Sequence, residues 1–171
     1  MTRIKLTPSV PFQYNNKVIL KSSDVRIYKD VVILTPGVWT DASTRMPIEY
    51  TELNLMKGSK VWSSNFLNVD HSWGTLDRIG YVKNPYYNKK IGIMGDLHIR
   101  PITQTARDTI SLIDAGLVNW LSAELMAEDV WDSASNKRFA EDIEFIGCAV
   151  VCHPADKNTR IKADGPTYKR D

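Results

Sequence analysis

Apolar and polar positions alternate with a period of two through most of this chain, and a helical period surfaces in only two places. "DVVILTPGVWT" (30–40) is a β-branched run cut by Pro36-Gly37, which predicts a strand, a break and a second strand. "FLNVDH" (66–71) returns to strand. "RIGYVKNPYYNKKIGIMGDLHI" carries two alternating runs around Asn-Pro and Asn-Lys-Lys, which predicts a β-hairpin. Further on, "LVNWLSAELMAE" alternates as a strand and "DSASNKRF" is a polar turn. "IEFIGCAVVCH" is an almost wholly apolar strand that Pro154 stops. The clearest helix is "TQTARDTISLIDAG", where Ala106, Ile110, Ile113 and Leu117 fall on one face, Thr103 or Thr105 caps the start and Gly116 suits the end. Thr51 followed by Glu52, Leu53 and Leu55 predicts a short helix closed by Gly58.

Strands therefore outnumber helices, and their order is not the regular βα alternation of a doubly wound sheet, so the pattern predicts a mainly-β α+β fold. A chain of 171 residues without repeats or an internal linker reads as a single domain over 1–171. Its first 20 or so residues and the tail "KADGPTYKRD" (162–171) are expected to be irregular or flexible. A hydrophobic content of 43% with 25% charged residues is that of an ordinary globular protein, and a net charge of +2 gives no case for nucleic acid by itself. No apolar run approaches the roughly 18 residues of a membrane span. Cys148 and Cys152 would stand about 13 Å apart on a strand, too far for a disulfide, which favours a reducing compartment.

The candidate chemistry is sparse. His71, His98 and His153 are the available neutral-pH bases. His71 ends an apolar run directly after Asp70. Alone it reads equally as a polar residue closing a strand. His98 alternates with Asp96 and Arg100 on one strand face, where an exposed polar residue is the simpler account. Cys148, Cys152 and His153 lack the paired short spacing of a structural zinc site, so no metal is expected. "MKGSK" lacks the first glycine of a phosphate-binding loop. Most serines sit in polar loops, but Ser122 lies in "NWLSAEL", where Leu121, Ala123 and Leu125 turn one way and Trp120, Ser122 and Glu124 the other. By spacing alone Ser122 is a core serine bonded to backbone. As a nucleophile it would need a base within reach and a third group to hold that base.

Taken in order, "FLNVDHSW", the hairpin, "TARDTISLIDAGLV", "NWLSAEL" and "IEFIGCAVVCHPADKNTRI" resemble the prohead (capsid maturation) serine proteases of tailed phages, over about residues 30–161. The resemblance implies a fold like that of the herpesvirus assembly proteases, a bent, mostly antiparallel β-barrel ringed by a few helices. It implies endopeptidase activity on scaffolding and major capsid proteins, with autocleavage, inside the assembling prohead in the host cell cytoplasm. His71 matches the family's base and Ser122 its nucleophile. The third member is less clear, because Gly147 stands where many relatives carry it. A bulge near Gly147 would bring Glu144 into that role, with Asp142 and then His153 as substitutes. The loop "PADKN" would offer the backbone N–H groups of Ala155, Asp156 and Lys157 as oxyanion donors.

This reading requires no cofactor, metal, membrane or nucleic acid, and it makes a homodimer plausible. Two rivals remain open at this stage. One is a catalytically inactive capsid-assembly or scaffold component of the same fold. The other is a barrel that binds single-stranded nucleic acid through the hairpin "KNPYYNKK".

Overall fold

Strand β1 (Asp24–Leu34) and β2 (Gly37–Thr40) flank the break at Pro36-Gly37, and β3 (Pro47–Tyr50) pairs back antiparallel on β2. The structure, a computed structural model, describes residues 24–41, 44–161 and 167–170. Helix α1 (Glu52–Gly58) follows, then β4 (Trp62–Val69), a 3-10 turn at Thr75–Asp77, and the hairpin β5 (Arg78–Asn88) and β6 (Gly92–Ile99). Helix α2 (Gln104–Asp114) leads into β7 (Trp120–Asp132), β8 (Lys137–Val151) and β9 (Thr167–Arg170). The expected irregular N-terminus lies outside the described residues. Within the tail, Thr167–Arg170 instead form a strand on β1.

The strands run in the order β2-β3-β8-β4-β5-β6-β1-β9, with β7 paired to β8. The mainly-β reading matches this architecture, but the sheet is mixed and does not close into a barrel. Both β3 and β4 pair parallel with β8, whereas β7 pairs antiparallel along nearly all of it. Since β7 occupies one edge of β8, β3 and β4 must share the other edge, end to end. Helix α1 covers the gap between them: its Asn54 Nδ2 donates to the Ala140 carbonyl at 2.9 Å, and Gly58 approaches so closely that a Cβ there would lie 2.9 Å from that of Ile143. α1 links β3 to β4, and both strands run the same way along β8.

Both helices begin at the capping threonines the sequence offers. The Thr51 side chain accepts from the Asn54 N–H and that of Thr103 from the Ala106 N–H. Helix α2 buries Ala106, Ile110 and Ile113. Leu117, expected on that face, is exposed. The helix has already been closed by Gly116 at φ 70, with the N–H of Leu117 bonded to the Leu112 carbonyl and that of Gly116 to Ile113. In the hairpin "KNPYYNKK" the tyrosines turn back along the sheet: the Tyr86 hydroxyl donates to Asp30 at 3.2 Å, and Tyr87 packs against the core.

The sheet bends around one core containing Ile33, Leu67, Ile93, Leu97, Leu121, Phe145 and Val150. Paired irregularities help it bend. β1 has a register shift after Tyr28, with Asp30 at φ 50, and β5 has one after Lys83, with Asn84 at φ 49. Asp96 on the strand between them ties both together. It accepts from the Asp30 N–H at 3.1 Å, from Lys29 Nζ at 2.7 Å and from Asn84 Nδ2 at 3.4 Å. Burial alone would raise the Asp96 pKa, but these donors outweigh it and hold the carboxyl below its ordinary value.

A carboxyl depressed in the folded state adds stability that is complete above the unfolded value of about 3.9 and is lost as pH falls through the lower folded value. Asp96→Asn is therefore expected to lower the urea midpoint at pH 7 and to flatten the decline of that midpoint below about pH 4. A variant curve parallel to the native one would show that Asp96 is not the staple.

Candidate active site

Three strand ends meet at one corner of the sheet. Across β4, β8 and β7 the register sets Asn68 beside Ala149 beside Ser122, and one row away Phe66 beside Gly147 beside Glu124. Leu67, Cys148, Val150 and Leu121 belong to the core. Side chains alternate along a strand, so Ser122 and Glu124 rise together from the opposite face. That face has only a glycine and an alanine between β7 and β4, which leaves a trough over β8.

His71 reaches this trough through a tight reversal. β4 ends at Val69, and Asp70 and His71 both adopt left-handed backbone, at φ 49 and 57. The Asp70 N–H bonds to the Val150 carbonyl at 3.0 Å and the Ser72 N–H to Val69 at 2.9 Å, which pins the turn to the end of β8. The imidazole then lies with Nδ1 3.0 Å from Glu124 Oε1. Glu124 is only 8% exposed, and its second oxygen is buried without a partner among the described residues. A carboxylate so placed favours the tautomer with the proton on Nδ1, leaving Nε2 as acceptor. Its charge also reaches Cys148, whose thiol is pushed far up by burial and then by Glu124.

His71 and Ser122 line the same cleft, of about 130 Å³, with Trp39, Tyr50 and Leu125. No hydrogen bond joins the Ser122 hydroxyl to the imidazole; such bonds often tighten only when substrate is bound. Ala155 and Asp156 line the cleft as well, and Lys157 does not. Their loop is held rigidly. The Asp156 carboxylate accepts from the Thr35 and Asn158 N–H groups at 2.6 and 2.9 Å. The Thr159 hydroxyl donates to the carbonyl of Leu121, the residue before Ser122, at 2.8 Å. The segment thus bridges β1 and β7, which share no ladder.

Of the residues expected at the site, the structure places His71 and Ser122 on one cleft and Glu144 away from it. Glu144 pairs in register with Met126 and lines a groove with Leu53, Lys57 and Asp142 against α1. About 20 Å of strand separates Glu144 from Val150, where His71 turns in. A register shift does occur beside Gly147, but it does not carry Glu144 to the imidazole. His153 is exposed beyond the end of β8. The acid beside His71 is Glu124. Its signal was the Ser122-x-Glu124 spacing on one face of an alternating strand.

Gly147 has its own reason. A Cβ there would meet the Phe66 carbonyl oxygen at 2.3 Å and the Phe66 ring at 2.9 Å. The ring therefore lies across the strand, with the Arg78 guanidinium 4.4 Å from its centroid and Trp73 edge-on at 5.5 Å. Gly147→Ala is expected to cost about 1–3 kcal/mol in chemical denaturation, because backbone as well as the ring must move. A neutral result would mean that β4 and β8 separate freely.

No family model and no curated protein matches this chain. Among solved structures, the capsid assembly protease gp21 of bacteriophage T4 matches with a TM-score of 0.52 and 10% sequence identity, over 76% of this chain and 98% of that one. At that identity the likeness is one of fold.

Proposed function

We propose that this chain is a serine endopeptidase of phage head maturation that cuts scaffolding and capsid proteins, and itself, within the assembling prohead. The observation that carries the reading is that His71, which lines the same cleft as Ser122, has its Nδ1 3.0 Å from the buried Glu124 carboxylate. The shared fold with a capsid assembly protease supplies the setting. In this mechanism His71 Nε2 takes the proton of the Ser122 hydroxyl as Oγ attacks the scissile carbonyl. The imidazolium then returns the proton to the leaving amine, and water hydrolyses the acyl-enzyme by the same route. Glu124 holds the ring and its charge. Backbone N–H groups of Ala155 and Asp156 stabilise the oxyanion. Self-association into a dimer belongs to the same reading.

The test is co-expression of the full chain with the scaffolding and capsid proteins encoded beside it, as native protein and as Ser122→Ala, with products read by intact mass. Cleavage by the first alone is expected, together with Ser122-dependent labelling by a fluorophosphonate. Identical products from both would remove Ser122 as nucleophile, and no cleavage by either folded protein would favour an inert assembly component. Glu124→Gln is expected to lower kcat roughly 10³–10⁴-fold while Glu144→Gln leaves it unchanged. The reverse order would return the orienting role to Glu144.

A further inference from the structure

Asn68 is wholly buried, and neither its amide nitrogen nor its amide oxygen has a hydrogen-bond partner among the described residues. Leaving both ends of an amide unpaired is costly, and native proteins rarely do it. Oε2 of Glu124, on the same face, is likewise buried without a partner among the described residues. The register relates the two. Asn68 and Glu124 lie two strands apart and two residues along, on either side of Ala149 and Gly147. Strand spacing and rise put their Cα atoms about 12 Å apart, and both side chains rise from the same face over small residues. A water set between the two heads, beside the Phe66 ring that lies against Gly147, would have polar partners on both sides. Two amide atoms and one carboxylate oxygen give that water the two to four polar partners a buried water needs.

We propose that Asn68 is a positioning residue, holding with Glu124 Oε2 a single buried water that fixes the carboxylate against His71. The water donates to Oε2 and accepts from the Asn68 Nδ2–H, which gives the carboxylate oxygen and the amide nitrogen a partner each. Glu124 then has one oxygen committed to the imidazole and the other to the interior, and it cannot rotate away. The mechanistic use of this arrangement rests on the protease reading. The coupling between Asn68, Glu124 and His71 does not.

The experiment is an NMR titration of the His71 ring protons in the full chain, assigned by their loss in His71→Ala. Four proteins are compared: native, Asn68→Leu, Glu124→Gln and the double variant. The nearby charged groups are Asp70 in the same turn, Asp77 and Arg78 at the start of β5, Asp41 and Asp156 across the cleft, and His153 after β8. They are common to all four, so the cycle cancels them. Asn68→Leu is expected to move the His71 midpoint by more than the error of the titration in the native background. In the Glu124→Gln background it is expected to move it hardly at all. No shift in the native background, or the same shift in both, overturns the proposal. Asn68→Ala serves in the same cycle if the leucine variant does not fold. Fluorophosphonate labelling of native protein is scored separately: coupling without Ser122 reactivity keeps Asn68 in its role and removes the protease reading.

Discussion

The placement of β8 between a parallel and an antiparallel neighbour is the constraint on which the cleft depends. β7 alone would put Ser122 and Glu124 on a face with nothing opposite them. It is β4, running the same way along the other edge, that ends level with Val150 and delivers His71 across the strand. An antiparallel β4 would end at the far side, beside Phe145. The crossing also needs Gly147 and Ala149 beneath it, because larger side chains there would occupy the trough. One ladder geometry and two small residues thus convert a strand-end histidine into the partner of a carboxylate two strands away.

That partnership is bought with stability. A carboxyl group that is only 8% exposed has given up most of its hydration, and a single contact to an imidazole does not make good that loss. A core built only for stability would place an apolar residue opposite Gly147. The Phe66 ring, held by Arg78 and Trp73, shows how much apolar surface is arranged around this corner while the carboxylate is retained within it.

Local patterns were legible in the sequence wherever neighbours along the chain decide the outcome. The hairpin of β5 and β6, the threonine caps, Gly116 at the end of α2, and the alternation of β7 all follow from short-range rules. What the sequence did not reveal was long-range pairing. The residues of β3 and β4 that pair with β8 lie 81 to 90 positions from their partners, and nothing in the composition of either strand says that it runs parallel to β8. The same gap explains the acid. Period two placed Glu124 beside Ser122 and placed Asp142 and Glu144 on a neighbouring strand, but choosing among them required knowing which end of β8 meets β4. Leu117 missed its expected face for a smaller reason, because the glycine that ends α2 precedes it.

The failure of the sheet to close gives the cleft its location. In a complete barrel β1 and β7 would share a ladder, and their edges would be satisfied by each other. Here the segment from Ala155 to Ile161 stands in that gap, bonded to Val32 and Thr35 on one side and to Asn119 and Leu121 on the other. Such a seam is bordered by rigid strands, yet it presents loop backbone N–H groups that no ladder has claimed. Burial changes sharply across it: the Glu124 side chain is 8% exposed and that of His71 42%. The imidazole therefore spans the boundary, with Nδ1 bonded to a buried carboxyl and the ring lining the cleft that Ser122 also lines. In the proposed mechanism the imidazole accepts a proton from one side and has its charge balanced from the other, and an unclosed sheet provides that asymmetry where a sealed barrel would not.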